Sequence, residues 1–255
     1  MSEKIDKAMQ LFKEQKYKEC IDAFSSVLET EPDNADVYNN MGVAYACTGD
    51  FEHALNCYFK ALELAPDLAQ AYINLSDLYY KNGDLASAIG TLQKGSYELE
   101  NNLIIAHLLA RAYIEDQRYE DALIELERIL DNEPNNYDAY YDLGHVLFEL
   151  GDYEGAISNF ENVLDYRHDS ELLFYSLAQA YEANNELDKA ISNYLKSIAV
   201  NDKFTIAYKK VGVLFMARND FEDAIEYFEE YVNFEIPQEE KDSVNNLIDK
   251  IKLKK

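Results

Sequence analysis

Residues 35–68 read ADVYNNMGVAYACTGDFEHALNCYFKALELAPDL, and residues 137–170 read YDAYYDLGHVLFELGDYEGAISNFENVLDYRHDS. The two stretches start 102 residues apart, three steps of 34. Stepping by 34 in both directions divides the chain with no insertion or deletion into units 1–34, 35–68, 69–102, 103–136, 137–170, 171–204 and 205–238, with a tail at 239–255. A fixed period of this length is the mark of a repeat architecture and has to be read before any single motif. The eighth place of each unit is small: Ala8, Gly42, Ser76, Ala110, Gly144, Ala178 and Gly212. The twentieth is small too: Cys20, then Ala54, Ala88, Ala122, Ala156, Ala190 and Ala224. The twenty-fourth is large: Phe24, Tyr58, Leu92, Leu126, Phe160, Tyr194 and Phe228.

These columns predict paired helices. Apolar residues in each half recur at spacings of 3 and 4, as at Tyr38, Met41, Gly42 and Tyr45, which makes each half amphipathic. Small residues let two such helices approach, and the large neighbours fill the gaps beside them. Between halves stand Thr48-Gly49-Asp50, Asn82-Gly83-Asp84 and Leu150-Gly151-Asp152. The glycine suits a left-handed helix end, and the aspartate suits the cap of the next helix. Asn185 and Asn219 replace that glycine, asparagine being the best substitute there. Pro32, Pro66 and Pro134 end the second halves, with Asp33 and Asp67 expected as caps of the following unit. Three units depart at the proline place with Glu100, His168 and Asp202, and unit seven shifts its proline to Pro237. Gly90 and Gly95 make the second helix of unit three the expected weak joint.

On these residues the chain resembles the tetratricopeptide repeat family across 1–238. The resemblance implies an all-α, right-handed solenoid superhelix of antiparallel helix-turn-helix repeats. It also implies a concave groove lined by the first helices, in which a protein or peptide segment lies. In the tail, Val244, Leu247, Ile248 and Ile251 predict one more amphipathic helix, a cap on the open apolar end. Lys250, Lys252, Lys254 and Lys255 at its end complement the helix dipole.

The second, fifth, sixth, ninth, twelfth and thirteenth places would face the groove. They supply the candidate partner-binding residues Asn39, Asn40, Asn74, Asp77, His107, Arg111, Tyr141, His145, Tyr175 and Gln179. Asn40 and Asn74 recur at one place, where an amide either pairs with the main chain of an extended peptide or is simply solvated. His107, Arg111, Tyr141, His145 and Tyr175 would gather across units four to six. An arginine among aromatics is the composition of an interface hot spot, and tyrosines that bridge helices as packing are the other reading. The clamp with which some family members hold a C-terminal carboxylate is not expected. Its places hold Ile5, Met9, Asn40, Gln70 and Asn74, and only Asn40 fits.

Composition narrows the rest. Forty-nine acidic residues against 23 basic ones leave a formal charge of −26. That field repels phosphate backbones and anionic lipid, so neither nucleic acid nor a membrane surface is expected as partner. Units four and five are the most acidic, through residues such as Glu115, Asp116, Glu149 and Asp152. A basic partner steered there and plain solubility are the two readings of that edge. Three cysteines do not form a disulfide framework, and the start MSEKIDKAMQ lacks the apolar core of a secretory signal. Both features point to a reducing, cytoplasmic setting. The four histidines lack the spacing of paired helical metal ligands, and no phosphate loop or nucleophile elbow occurs. The expectation is therefore a non-catalytic scaffold or adaptor with no cofactor and no metal. Two alternatives stand beside it: self-assembly into homo-oligomers, motivated by Ile5, Met9 and Phe12 on the first helix, and a sensor or regulatory subunit acting in trans.

Overall fold

The computed structural model describes residues 3–164, 166 and 169–253; His168, Lys254 and Lys255 lie outside them. Among the described residues there are fifteen α-helices and no strand. They are α1 (Glu3–Lys13), α2 (Tyr17–Leu28), α3 (Ala35–Cys47), α4 (Phe51–Leu64), α5 (Ala69–Lys81), α6 (Leu85–Glu98), α7 (Leu103–Glu115) and α8 (Tyr119–Asn132). Next come α9 (Tyr137–Glu149), α10 (Tyr153–Leu164), α11 (Glu171–Ala183), α12 (Leu187–Val200), α13 (Thr205–Ala217), α14 (Phe221–Asn233) and α15 (Gln238–Lys252). The helices from α3 to α13 that open a hairpin start 34 residues apart.

The chain forms two compact units, Met1–Ile129 and Leu130–Lys255. In the first, α1 packs on α2, α3 on α4 and α5 on α6, and each hairpin rests on the next through α2–α3, α4–α5 and α6–α7. In the second, α9–α10, α11–α12 and α13–α14 pair in the same way, joined by α10–α11 and α12–α13, and α15 packs on α14.

The periodic columns explain this packing. All seven residues of the twentieth column and all seven of the twenty-fourth are buried. Rings such as Phe24, Tyr58, Phe160, Tyr194 and Phe228 are 2% exposed or less, each worth roughly 1.5–3 kcal/mol relative to an exposed position. Three of the rings lie close against a glycine of the facing helix. A Cβ on Gly42 would sit 2.7 Å from Tyr58 Cε1, on Gly144 2.6 Å from Phe160 Cε1, and on Gly212 2.8 Å from Phe228 Cδ1. The eighth place is small because the ring of the twenty-fourth occupies its space.

The turn inside each hairpin is one device used seven times. The fifteenth place has positive φ throughout: Gln15, Gly49, Gly83, Gln117, Gly151, Asn185 and Asn219, between 58° and 83°. The next N–H then donates to the carbonyl four places before that residue, as Asp50 N does to Tyr45 O at 3.0 Å and Arg118 N to Tyr113 O at 2.8 Å. This is the Schellman closure of a helix end. Asp50, Asp84 and Asp152 then cap α4, α6 and α10 by accepting from His53 N, Ser87 N and Gly155 N.

One expectation needs correction. Asp33 and Asp67 do not cap the following helices. The cap of α3 is Asn34, which accepts from Val37 N, and Leu68 precedes α5 with no side-chain cap. The capping place is the last of the unit, where Asn102, Asn136 and Ser170 do the same for α7, α9 and α11. The glycines of unit three lie inside α6, which runs over Leu85–Glu98. A Cβ on Gly95 would meet Tyr72 Cγ at 2.9 Å, so that glycine serves close packing.

At the C-terminal end α15 buries Val244, Ile248 and Ile251 against Phe228 and Tyr231 of α14. Glu240 latches it, because its Oε1 accepts from Lys209 Nζ at 2.5 Å and from Tyr231 Oη at 2.7 Å. At the other end Ile5, Met9 and Phe12 are half-buried against a cluster around Ala8, Cys20 and Phe24 rather than bare.

Candidate functional site

The first helices of the hairpins carry the candidate residues, and the two units present separate sets. In the first unit α3 touches α5 and α5 touches α7. Asn39 is buried, only 5% exposed, which corrects its expected place on the open face. Its Oδ1 accepts from Asn74 Nδ2 at 2.9 Å, and Asn74 Oδ1 accepts from Gln70 Nε2 at 2.9 Å. The amides of Asn39 and Asn74 are thus spent on tying α3 to α5. Asn40, half-buried beside them, makes no hydrogen bond among the described residues and keeps both its donor and its acceptor.

Asp77 is exposed and pairs with Lys81 at 2.7 Å. Both line a cleft of about 350 Å³ with Val43, Cys47 and Asn74. Cys47 is exposed there, whereas Cys20 and Cys57 are buried and desolvation pushes each thiol up to about 11. On α7, His107 is half-buried and Arg111 is exposed with no ion pair among the described residues.

In the second unit Tyr141, His145, Tyr175 and Gln179 lie on α9 and α11, which touch one another. The first three are half-buried and engaged in packing. The Tyr141 ring meets His145 at 4.7 Å and Phe160 at 5.8 Å, and Tyr175 packs against Tyr194 at 5.3 Å and Phe204 at 5.2 Å. His145 Nε2 lies 3.4 Å from Ser176 Oγ. Burial holds the His145 imidazolium below its usual range, against the opposing pull of Asp142 and Glu149. Glu182 joins α11 to α13: it accepts from Lys210 Nζ at 3.0 Å and from Tyr194 Oη at 2.7 Å. Arg111 and His107 therefore belong to the first unit and His145 to the second, and the tyrosines serve their own unit's packing.

The same face holds exposed apolar residues outside the candidate set. Leu172 on α11 and Ile206 on α13 are 54% and 48% exposed, and Val213 is 37% exposed. Leu172 and Ile206 both occupy the second place of a unit, 34 residues apart, so the period itself contained the signal. Ile104, 65% exposed, holds the same place in unit four, while Asp36, Gln70 and Asp138 interrupt the column.

Among the described residues no group of His, Cys, Asp and Glu is arranged to hold a metal ion, and no helix is long and apolar enough to cross a membrane.

The sequence matches tetratricopeptide repeat models at residues 35–68, 69–96, and over the overlapping spans 107–169, 141–205 and 175–240. The chain belongs to the tetratricopeptide repeat family. Its fold class is accordingly an all-α repeat solenoid, and solved structures agree. The C-terminal part of a tetratricopeptide repeat protein from Cytophaga hutchinsonii superposes with a TM-score of 0.78 at 17% identity, covering 94% of this chain and 98% of that one. YrrB, a tetratricopeptide repeat protein described as having an unusual peptide-binding site, gives 0.65 at 24% identity over 72% and 95% of the two chains. MamA from Desulfovibrio magneticus gives 0.63 at 22% identity over 65% and 93%. At these identities the likeness is one of fold. No curated protein matches the sequence.

Proposed function

We propose that this tetratricopeptide repeat chain is a non-catalytic adaptor, built of seven repeats with α15 as terminal cap, that holds a protein or peptide segment on its first-helix faces. One observation carries the reading: Leu172, Ile206 and Val213 stand exposed on α11 and α13 beside half-buried Tyr175 and Gln179. Apolar side chains held in water on packed helices gain by being covered, and a pre-ordered surface loses little entropy on binding. In the first unit Asn40 on α3 offers an unspent amide, and Asp77 on α5 and His107 and Arg111 on α7 add polar groups on successive first helices. Asn39 and Asn74 support the face from within. The charge of −26 favours a protein partner over nucleic acid or anionic membrane, and the exposed Cys47 thiol suits a reducing cytoplasm.

The test is affinity capture from native lysate with the wild type and with Leu172→Asp/Ile206→Asp protein. Both positions are exposed, so the variant keeps its fold, which circular dichroism checks. Loss of the wild type's partners from the variant supports the reading. Equal capture by both proteins removes the assignment of the partner to this face.

A further inference from the structure

In the second unit the first-helix face is divided by charge. On α9, Asp138, Asp142 and Glu149 follow one another at intervals of four and seven residues, which sets them in one stripe about 16 Å long along the axis. Asp142 and Glu149 both act on the imidazole of His145 between them, and His145 Nε2 lies 3.4 Å from Ser176 Oγ on α11. The stripe therefore borders α11. No cation close in sequence balances it: between Arg128 and Arg167 stand nine acidic residues and no lysine or arginine.

The next two first helices carry apolar side chains instead. Leu172 on α11 and Ile206 on α13 hold the place that Asp138 holds on α9, and all three are exposed. Val213, also exposed, follows Ile206 by seven residues, two helical turns. Both lysines of α13 are engaged within the unit, Lys209 by Glu240 at 2.5 Å and Lys210 by Glu182 at 3.0 Å. The α9 carboxylates alone would read as a solvated edge. Exposed leucine and isoleucine at the matching places of the neighbouring helices make that edge the acidic flank of an apolar strip.

We propose, resting on the adaptor reading, that the segment held on this face is a cationic amphipathic helix of a partner protein. A helix is about 10–12 Å across with its side chains, so one laid along α11 meets α9 on one flank and α13 on the other. Its lysines or arginines face Asp138, Asp142 and Glu149, and its apolar stripe covers Leu172, Ile206 and Val213. Side chains three and four apart on one helix supply two adjacent stripes, whereas an extended strand turns its alternate residues to opposite sides. The charge pairing steers the encounter and weakens as salt rises.

Fluorescence anisotropy of the full chain with two labelled peptides tests this. Each peptide has about 15 residues with leucines on one helical face, and the flanking face carries lysine in the first and glutamine in the second. The lysine peptide should bind the wild type roughly tenfold more tightly, an advantage that shrinks as salt rises from about 0.05 to about 0.5 M. Asp138→Asn/Glu149→Gln should remove most of that advantage. Glu226→Gln/Glu230→Gln, which takes the same two charges from exposed places on α14, should leave it in place. Leu172→Ser/Ile206→Ser should weaken both peptides. All six positions are exposed, and circular dichroism checks that each variant is folded. A lysine peptide that does not bind the wild type, or that binds the α9 and α14 variants equally, overturns the proposal. If both peptides bind alike and only the Leu172/Ile206 variant loses them, the adaptor face stands and its cationic occupant falls. If neither peptide depends on Leu172 and Ile206, the face itself falls, and the proposal with it.

Discussion

Gln117 holds a φ of 58° at the hinge of its hairpin, where Gly49, Gly83 and Gly151 hold 77° to 83°. A side chain crowds that conformation and glycine does not, although glycine also loses more freedom on folding. Gln117→Gly, and Gln15→Gly at the equivalent place, should therefore stabilise the first unit by about 0.5–1 kcal/mol, read as a raised melting temperature. The eighth place responds in the opposite direction. Gly144→Val puts a Cβ 2.6 Å from Phe160 Cε1, and overpacking of that kind costs roughly 1–3 kcal/mol or more. Trimming the ring with Phe160→Leu should recover part of the loss in a double-mutant cycle, a coupling that a merely local helix effect would not show.

His145 gives a pH dependence with a definite sign. Burial lowers its pKa in the folded state, so the unfolded chain binds the proton first, and stability falls as pH drops through the histidine range. His53 is the opposite case. Asp50, its hydrogen-bond partner at 2.9 Å, raises its pKa, so its contribution is present at low pH and is lost as pH rises. Replacing His145 by Gln should flatten the fall in urea midpoint between about pH 7.5 and about pH 5.5, while His53→Gln should not. An unchanged slope in His145→Gln would remove the burial argument.

Among the elements, α15 is held by one apolar stripe, the Glu240 latch and an exposed Lys252–Glu229 pair at 2.8 Å. Ile248→Ala removes the stripe's central residue, 4% exposed, and should cost about 2–4 kcal/mol in the second unit. Glu240→Ala removes the acceptor shared by Lys209 and Tyr231. Hydrogen exchange should then quicken in α15 more than in α11 or α12, because the latch ties this helix alone to α13 and α14. Equal acceleration along the second unit would show that the latch acts on global stability instead.

For the whole molecule, the balance of 49 acidic against 23 basic residues sets a field that the compact state must bear. Moderate sodium chloride should raise the melting temperature by screening it, since most ion pairs among the described residues lie on the surface and contribute little of their own. The hairpins pack on their sequence neighbours, so a lesion should also stay local. Gly144→Val is expected to reduce exchange protection mainly within the second unit, Leu130–Lys255, where its ring partner lies.

The 34-residue period, the helical hairpins, the left-handed hinges at Gly49, Asn185 and Asn219 and the small–large packing columns were all legible in the sequence. Each is a local demand of backbone geometry or ring size, repeated until chance is excluded. The candidate site was legible only as a list of places. Whether a side chain at such a place faces solvent depends on its neighbour in the next hairpin. Asn39 turned inward because Asn74, 35 residues on, supplied its hydrogen-bond partner. Tyr141 and Tyr175 became packing because Phe160, Tyr194 and Phe204 lay within ring contact. Leu172 and Ile206 stayed exposed because nothing in their own unit covered them. Periodicity specifies which residues share a face; only tertiary packing decides which of them the molecule has already used.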